Sequence, residues 1–284
     1  MIMSEHCLLD QLPVELLHTL YNYFSGRELL YTFFDVSNYV DATLQSYSSY
    51  EIDFQTISKC RFRSICRQIR AEQIISLTIS DGDDTPGFSD LFFSHFPIEQ
   101  LTRLRSLTLI KIECNSLKYV LENLHKLTQL RMFSVYNLLI RYQYPSQDQP
   151  SSSYPTDMNL NVLSQLVHLR LNDATILTSI QFPRLRHLNV EECSTDELQT
   201  IFHQAPQLKF LNVWLNLHES YFEFVLPPNQ LTQLDLSFRS KCIRFKRENI
   251  SLFVIRRFSN FDESDGKFIT TVTEFEGSKI DCIL

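Results

Sequence analysis

One short pattern of apolar residues recurs seven times between residues 74 and 236. Each copy has an apolar residue, two variable positions, a central leucine, one further variable position and a second apolar residue. The central leucines are Leu77, Leu107, Leu130, Leu169, Leu188, Leu211 and Leu234. They are separated by 30, 23, 39, 19, 23 and 23 residues. Self-similarity at such a period is typical of stacked copies of one structural unit, and it restricts the fold more than any other feature of this sequence.

Composition accounts for the two longest intervals, and other intervening segments have helical periodicity. Residues 81–87 form an acidic loop, and residues 143–157 form a Pro-, Ser- and Gln-rich insert that is expected to lack regular structure. Residues 115–124 carry apolar residues at helical spacing, and a capping-box pattern beginning at Ser194 precedes another such segment. The pattern therefore predicts leucine-rich repeats over residues 74–240, an α/β solenoid with a parallel concave sheet and helices on its convex side.

The first fifty residues form a separate compositional unit. They carry six acidic side chains and one basic one, a net charge of −5. Pro13 at a helix start, followed by apolar residues at helical spacing, predicts a short helix that ends at Ser25 and Gly26, with the glycine in a left-handed cap. Two further short helices are expected at residues 28–34 and 38–44. A three-helix unit of this size cannot bury all its apolar side chains alone, so a partner is expected to cover part of them.

Residues 51–73 link this unit to the repeats and are predicted to contain an amphipathic helix. The stretch 59–70 has five basic side chains and no acidic one. Such a run is compatible with a nucleic-acid-binding patch, but its apolar residues fall at positions i, i+3, i+4 and i+7, which favours a helix whose solvated face is basic. The net charge of −7 for the whole chain also disfavours general binding to nucleic acid.

Residues 241–284 are predicted to form a cap that shields the last repeat. Residues 241–257 are mainly basic, residues 262–281 are mainly acidic, and residues 268–275 have a strand-like composition. A terminal hairpin paired by opposite charges is one interpretation, and a separate basic ligand site is the other. A repeat array needs a covered end, because an open last repeat would expose its core leucines.

Composition disfavours several classes of enzyme and membrane protein. The five glycines are too far apart for a phosphate-binding loop, which needs closely spaced residues without a Cβ atom. The seven cysteines include no Cys-x-x-Cys pair, so neither a disulfide framework nor a structural zinc site is expected. No apolar run has the roughly 18 residues needed to cross a bilayer, and the first residues lack the basic start of a signal peptide. We therefore expect a protein of the cytoplasm, the nucleus or both, with no membrane partner, cofactor or metal.

The segment Leu-Pro-Val-Glu-Leu-Leu at residues 12–17, with a Leu-Leu pair at residues 29–30, resembles an F-box. The positions that match the family pattern are Leu12, Pro13, Glu15, Leu16, Leu17, Leu20, Tyr23, Phe24, Leu29 and Leu30. Leucine-rich repeats directly after such a box are a common arrangement in F-box proteins, which strengthens the resemblance. It implies a helical docking domain over residues 1–50.

The resemblance implies a substrate-recognition subunit of a Skp-cullin-F-box type ubiquitin ligase. In such proteins the F-box docks on a Skp-type adaptor held by a cullin, and the repeats hold the target protein. The residues expected to contact the adaptor are Leu12, Pro13, Leu16, Leu20, Phe24, Leu29 and Leu30. Catalysis would belong to the partners, so this chain is expected to be no enzyme itself and to supply proximity.

Two departures from the family pattern leave a second hypothesis open. The family usually closes the box with Val-Cys-x-x-Trp, whereas Val36 is followed here by Ser37 and Val40 in place of the cysteine and the tryptophan. The ninth repeat position, commonly Asn or Cys, matches only at Cys193 and Asn216, so the solenoid is expected to be irregular. The alternative function is a stand-alone leucine-rich-repeat scaffold or adaptor protein with a degenerate F-box and no ligase role.

Strand alternation predicts which side chains face the target. The leucines of each repeat point inward, so their neighbours point outward on the concave sheet. The outward positions with aromatic, arginine or histidine side chains are Arg131, Phe133, His168, Arg170, His187, Phe210 and Trp214. Trp214 is expected to anchor the target, the alternative being that it packs under a loop. A metal site at His168 and His187 is disfavoured, because no third ligand joins their row.

Overall fold

The computed structural model describes residues 7–136, 160–174, 177, 180–215, 231–238, 254–262 and 267–271. The chain divides into two compact units. The first contains residues 1–130 together with 137–141, and the second contains residues 131–136 and 142–284. The insert predicted at residues 143–157 and most of the predicted C-terminal cap lie outside the described residues.

In the described part of the first unit, helices alternate with short strands after an all-helical start. The helices are α1 (Val14–Tyr21), α2 (Gly26–Phe33), α3 (Asn38–Ser46), α4 (Lys59–Gln68), α5 (Phe88–His95) and α6 (Cys114–Asn123). The strands are β1 (Tyr50–Asp53), β2 (Ile74–Ser80) and β3 (Ser106–Ile110). Both β1 and β3 pair with β2 in parallel, so β2 lies between them. The three helices predicted before residue 45 and the helix predicted at residues 115–124 are therefore present.

The three N-terminal helices enclose a core that contains several aromatic rings. Leu17 and Tyr21 of α1 are fully buried, and the Tyr21 hydroxyl shares a hydrogen bond of 2.7 Å with the Thr43 hydroxyl of α3. The Tyr21 ring also packs against Phe33 and Tyr47, with ring centroids 5.3 and 5.5 Å away. Burial raises the pKa of Tyr21 above its usual value, so the phenol stays protonated and this buried contact carries no charge.

Gly26 does not cap the end of α1, as the sequence pattern predicts, but begins α2. Ser25 is the N-cap of α2: its hydroxyl accepts the Glu28 backbone N–H, and the Glu28 carboxylate accepts the Ser25 backbone N–H. Gly26 lies against β1, where an added Cβ atom would stand 2.5 Å from Ile52 Cδ1 and 2.9 Å from the Glu51 carbonyl oxygen. The φ angle of Gly26 is not in the left-handed region, so its backbone conformation does not require a glycine. Close packing against β1 is therefore what excludes a side chain at this position.

Strand β1 was not predicted from the sequence, because four residues are too few to establish a periodicity. Its burial alternates: Tyr50 and Ile52 are buried, whereas Glu51 and Asp53 are exposed. The Tyr50 hydroxyl donates a hydrogen bond of 2.8 Å to the Leu44 carbonyl oxygen. This bond ties β1 to α3, so the first strand of the sheet is continuous with the core of the N-terminal helices.

Helix α4 is the amphipathic linking helix that the sequence predicts. Phe62, Ile65 and Cys66 are buried, and the Phe62 ring packs against the rings of Phe54 and Phe88 with centroids 4.5 and 4.7 Å away. The five basic side chains of this segment are all exposed. The segment is therefore a helix with a buried apolar face and a solvated basic face.

The second unit is built on an open parallel sheet. Its strands are β4 (Met132–Tyr136), β5 (His168–Asp173), β6 (His187–Cys193), β7 (Phe210–Leu215), β8 (Gln233–Phe238), β9 (Val254–Asp262) and β10 (Lys267–Thr271). Neighbouring strands from β4 to β9 pair in parallel, and β10 pairs with β9 antiparallel. Helix α7 (Thr195–Gln204) connects β6 to β7 and begins with the predicted capping box at Ser194. Parallel strands joined through helices make this an α/β fold, as predicted.

The predicted register of the third repeat is wrong by three residues. Strand β4 pairs with β5 so that Phe133 stands opposite Leu169, a place that the sequence pattern gives to Leu130. Leu130, Phe133 and Val135 are each at most 1% exposed and form the apolar pattern of this repeat, with phenylalanine in its centre. The sequence pattern favours the other register because Leu127, Leu130 and Met132 also have the spacing of the repeat. Consequently Phe133 points into the core and not outward.

Two strands of the predicted C-terminal cap lie within the described residues. Strand β9 pairs with β8, and β10 returns beside β9 with Lys267 opposite Asp262. The antiparallel pair that the hairpin interpretation requires is therefore present. Together these strands cover the backbone edge that β8 would otherwise expose.

Candidate functional site

An exposed apolar surface lies on the N-terminal helices. Leu16 and Leu20 stand one turn apart on α1, and Tyr23 follows at the next helical position. Leu16 is 55% exposed and Tyr23 is 81% exposed, while Leu20 is half-buried. Directly ahead of α1, Pro13 is exposed and Leu12 is half-buried. We name these five residues the N-terminal apolar surface, and such a group of exposed apolar side chains is typical of a protein-binding surface.

Three of the residues predicted to contact an adaptor lie elsewhere. Leu29 and Leu30 are only 1% and 4% exposed, because α2 turns its apolar stripe toward the core. Phe24 is half-buried, and its ring packs edge-on against Phe33 with centroids 5.3 Å apart. Leu29 and Leu30 therefore belong to the core of the first unit, which corrects the predicted adaptor-binding set.

The residues that depart from the F-box closing motif have structural roles. Ser37 is the N-cap of α3: its hydroxyl accepts the Val40 backbone N–H and donates to the Asp10 carboxylate. Val40 is fully buried. The Tyr39 hydroxyl donates a hydrogen bond of 2.7 Å to the Leu12 carbonyl oxygen. Helix α3 thus holds in place the segment that leads into the N-terminal apolar surface.

A groove of about 400 Å³ crosses the sheet of the second unit on its solvent-facing side. Because successive residues of a strand point to opposite faces, the parallel register aligns the outward side chains in rows across the sheet. The lining residues of the first row are Met132, His168, His187 and Phe210, and those of the second are Ser134, Arg170, Asn189, Asn212 and Asp235. Four predicted target-binding residues therefore lie in a single groove. His168, His187 and Phe210 belong to its first row, and Arg170 belongs to its second.

Three stacked rings form the floor of the first row. His168 and His187 stack with centroids 4.1 Å apart and planes at 10°, and His187 and Phe210 stack with centroids 4.3 Å apart and planes at 6°. These residues open strands β5, β6 and β7, and parallel pairing sets neighbouring strands roughly 4.8 Å apart. We name the three residues the ring ladder. It presents a continuous row of ring edges against which an aromatic or apolar side chain can pack.

Arg170 is held in the second row by two neighbours. Its Nη2 atom lies 3.0 Å from Glu191 Oε1, and its guanidinium carbon lies 3.9 Å from the centroid of the Tyr136 ring. Glu191 also accepts a hydrogen bond of 3.3 Å from the Asn172 side-chain amide. The buried Nε atom of Arg170 has no hydrogen-bond partner within the described parts of the chain. The ion pair and the ring therefore fix the position of the guanidinium in the second row.

A row of basic residues borders the ring ladder at the start of the strands. Arg131, Arg186 and Lys209 immediately precede strands β4, β6 and β7, and all three are exposed. Backbone hydrogen bonds align them: the Lys209 N–H donates to the Arg186 carbonyl at 2.9 Å, and Val167 links Arg186 to Arg131 through bonds of 2.9 and 2.8 Å. We name Arg131, Arg186 and Lys209 the basic row.

Sequence reasoning missed Arg186 and Lys209, because it considered only the positions next to and after the central leucines. A usable signal lay in the segments that lead into the strands. Residues 127–131, 181–186 and 205–209 together contain four basic side chains and no acidic one. A concentration of one charge at the same place in three of four neighbouring repeats predicts a charged edge of the sheet.

The groove has an electrostatic gradient along its strands. The strand entries are basic, whereas farther along the strands Glu191 pairs with Arg170 and Asp235 lines the groove. Burial lowers the pKa of His168 below its ordinary value. Burial also lowers the pKa of His187, and the positive charges of His168, Arg186 and Lys209 lower it further. The ring ladder is therefore uncharged at neutral pH, and the positive potential is concentrated on the basic row.

The other predicted target-binding residues have three different environments. Trp214 of β7 is 39% exposed and faces the same side of the sheet as Phe210. Arg131 is exposed in the basic row, and Phe133 is buried. Tyr136 was not among the residues predicted from the sequence. Its ring lines the groove beside Arg170, and it supplies the aromatic side chain that was expected from Phe133.

The metal-ligating side chains, the helices and the buried thiols of the described residues bear on three other classes of function. No three His, Cys, Asp or Glu side chains among them are grouped as a metal site requires, and no helix among them is long and apolar enough to cross a membrane. Burial raises the pKa of Cys66 to about 12 and also raises that of Cys193. Neither of these thiols is therefore an activated nucleophile.

Comparison with known proteins adds no assignment. No protein-family model matches this chain, and no curated protein matches its sequence. The features that indicate a function are therefore two surfaces of the chain, the N-terminal apolar surface and the groove with its ring ladder and basic row.

Proposed function

We propose that this chain is the substrate-recognition subunit of a Skp-cullin-F-box type ubiquitin ligase. In this role the N-terminal apolar surface docks on a Skp-type adaptor that a cullin holds, and the groove of the second unit binds a target protein. The partners carry out the transfer of ubiquitin, and this chain contributes proximity. Its place of action is the cytoplasm, the nucleus or both.

The observation that carries the proposal is the exposure of apolar side chains at the positions of the F-box-like motif. Leu17 and Tyr21 already fill the core on one side of α1, yet Leu16 on its other side and Tyr23 just after the helix are more than half exposed. A helix of a self-contained protein would present polar residues there. Burial of apolar area contributes about 25 cal/mol per Å², so covering the exposed parts of Leu16 and Tyr23 favours association.

The groove supports the target-binding half of the proposal. Its outward residues include aromatic rings and an arginine, the side-chain types that most often contribute to binding energy at protein interfaces. A volume of about 400 Å³ accommodates a few side chains of a partner and not a whole domain. We therefore expect the groove to bind a short segment of the target.

Co-purification of the full chain from cells, with detection of a Skp-type adaptor and a cullin, tests the proposal. Leu16→Glu is expected to remove both partners, because docking would then bury an unpaired carboxylate. Glutamate and leucine have similar helix propensities, so α1 itself should persist. Tyr119→Glu is the matched control, since Tyr119 is a 36% exposed aromatic residue on α6 of the same unit. This control should retain both partners.

Two results of that experiment would contradict the proposal. One is failure of the unchanged chain to recover an adaptor, and the other is equal recovery by the Leu16→Glu variant. Circular dichroism spectra of the variant and the unchanged chain should coincide, which separates loss of docking from loss of folding.

The alternative is a stand-alone leucine-rich-repeat scaffold or adaptor protein with no ligase role. The burial of Val40 favours it, because the position where the family has tryptophan offers no side chain to a partner. Under this alternative the chain recovers its target without an adaptor or a cullin. The same co-purification therefore distinguishes the two functions.

A further inference from the structure

We propose that the groove recognises an extended acidic segment of the target protein, with one aromatic side chain of that segment packed on the ring ladder. The inference rests on the proposed function and deepens it by naming the chemistry of the target. Three features of the second unit carry it: the basic row, the ring ladder and the carboxylates of Glu191 and Asp235 farther along the strands.

The basic row calls for negative charge in the ligand. Arg131, Arg186 and Lys209 are exposed, and no carboxylate of the described residues forms an ion pair with any of them. Arg186 and Lys209 directly precede adjacent strands, and a backbone hydrogen bond of 2.9 Å joins them, so their like charges repel each other across roughly 5 Å of backbone separation. An acidic ligand relieves this repulsion and gains favourable interactions with both side chains.

The ring ladder indicates which side chain lies next to the acidic residues of the ligand. Arg186 directly precedes His187, and Lys209 directly precedes Phe210, so each base lies beside one ring of the ladder. Side chains on one face of an extended segment recur roughly every 6.8 Å, a spacing that the long Arg and Lys side chains can follow. A segment with carboxylates on the basic row therefore places an adjacent side chain over the rings, where an aromatic group packs best.

The far end of the groove limits where the acidic segment can lie. Glu191 already neutralises Arg170 at 3.0 Å, and Asp235 places a further carboxylate in the second row. Negative charge in the ligand is therefore favoured at the strand entries and opposed farther along the strands. This gradient, together with the chain's net charge of −7, disfavours a continuous polyanion such as a nucleic acid. The occupant to which the surface is matched is a short acidic peptide.

Fluorescence polarisation with synthetic peptides tests the inference on the full chain. The probe is a fluorescein-labelled nonapeptide with tyrosine at its centre and glutamate at the flanking positions. Two peptides of equal length serve as comparisons: one replaces tyrosine with alanine, and the other replaces every glutamate with lysine. We expect the acidic aromatic peptide to bind tightest, the alanine peptide to bind more weakly, and the lysine peptide not to bind.

Charge reversal of the row identifies the site of binding. Arg186→Glu together with Lys209→Glu is expected to weaken binding of the acidic peptide by about tenfold or more. Arg63→Glu together with Arg67→Glu changes the net charge equally on the exposed face of α4 and should leave the affinity unchanged. Phe210→Ala should reduce the preference for tyrosine over alanine in the peptide while the dependence on glutamate remains.

Three outcomes would overturn the inference: equal affinity for the acidic and lysine peptides, unchanged affinity after reversal of the row, or tighter binding of a thymidine oligonucleotide of equal charge. The last would identify a general polyanion surface. The row-reversal variant should still co-purify the adaptor. Loss of peptide binding with the adaptor retained locates the change in the groove, whereas failure of the unchanged chain to recover an adaptor contradicts the ligase role and leaves the peptide result standing.

Discussion

The imidazole rings of His168 and His187 stack with centroids 4.1 Å apart and planes 10° from parallel. The parallel pairing of β5 and β6 sets the two residues directly opposite each other. Partial burial lowers the pKa of both histidines, and a proton on His168 lowers that of His187 further. Neutral rings are thus a condition for the ring ladder.

This relationship predicts that the second unit loses stability as the pH falls below about 6.5, the ordinary pKa of histidine in an unfolded chain. Because the pKa values of His168 and His187 are lowered in the folded state, the unfolded chain binds more protons just below that pH. The stabilisation that comes from keeping these two rings neutral is fully present above about pH 6.5. It is lost as the pH falls through the lowered folded-state pKa values. Thermal unfolding followed by circular dichroism between pH 8 and pH 5 measures it.

His187→Phe provides the control for this pH dependence. It removes one titrating group and keeps a ring between His168 and Phe210, so the melting temperature should change less with pH than in the unchanged chain. An imidazole titration by NMR that placed either histidine above its ordinary pKa would contradict the prediction.

The corrected register of β4 predicts unequal effects at two adjacent positions. Phe133 is 1% exposed, so Phe133→Ala should lower the free energy of unfolding by about 3–5 kcal/mol. Met132 lies on the opposite face and is half-buried in the groove, so Met132→Ala should have a much smaller effect. Urea denaturation of both variants gives the comparison. A larger loss of unfolding free energy from Met132→Ala would contradict this register and support the one that the sequence pattern favours.

Close packing of α2 against β1 predicts that Gly26→Ala destabilises the first unit. The added methyl group would stand 2.5 Å from Ile52 Cδ1 and 2.9 Å from a backbone oxygen, and overpacking of this kind typically costs about 1–3 kcal/mol. Gly82→Ala is a suitable comparison, because there the nearest atom is the Ser80 hydroxyl oxygen at 3.2 Å. Equal urea midpoints for the two variants would show that Gly26 tolerates a side chain.

Trp214 is the single tryptophan of the chain and 39% exposed, so iodide should quench its fluorescence in the free protein. Trp214→Ala should destabilise the fold far less than Phe182→Ala, which removes a 1% exposed ring at a cost of about 3–5 kcal/mol. Trp214→Ala should also weaken target binding by about 2 kcal/mol or more if Trp214 anchors the target. Fluorescence that iodide leaves unquenched would place the indole in the core and remove this role.

Local sequence signals were sufficient for several elements. The capping box at Ser194 marks the start of α7, and the apolar spacing of Phe62, Ile65 and Cys66 identifies the buried face of α4. Both features depend on side chains within one or two turns of one another, so the linear sequence contains all the information they need. The spacing of the leucines likewise indicates parallel strands, because each interval is long enough for a crossover connection.

Burial of individual apolar residues was not predictable in the same way. Leu16 and Leu29 both belong to apolar helical stripes of the F-box-like segment, yet one is 55% exposed and the other 1% exposed. Which stripe is buried depends on the elements packed against each helix, and β1 and α3 supply that packing from other parts of the chain. Phe133 and Met132 differ for the same reason, since pairing with β5 decides which of them faces the core.

The sequence by itself therefore determined the α/β class of the fold, the helix starts and the presence of interface-type residues in successive repeats. Only the tertiary structure decided which of them meet. His187 and Phe210 are 23 residues apart in the chain, and their rings are 4.3 Å apart because parallel pairing aligns the first residues of β6 and β7. Arg186 and Lys209 are brought together by the same alignment. Such rows run perpendicular to the chain, so no local pattern contains them.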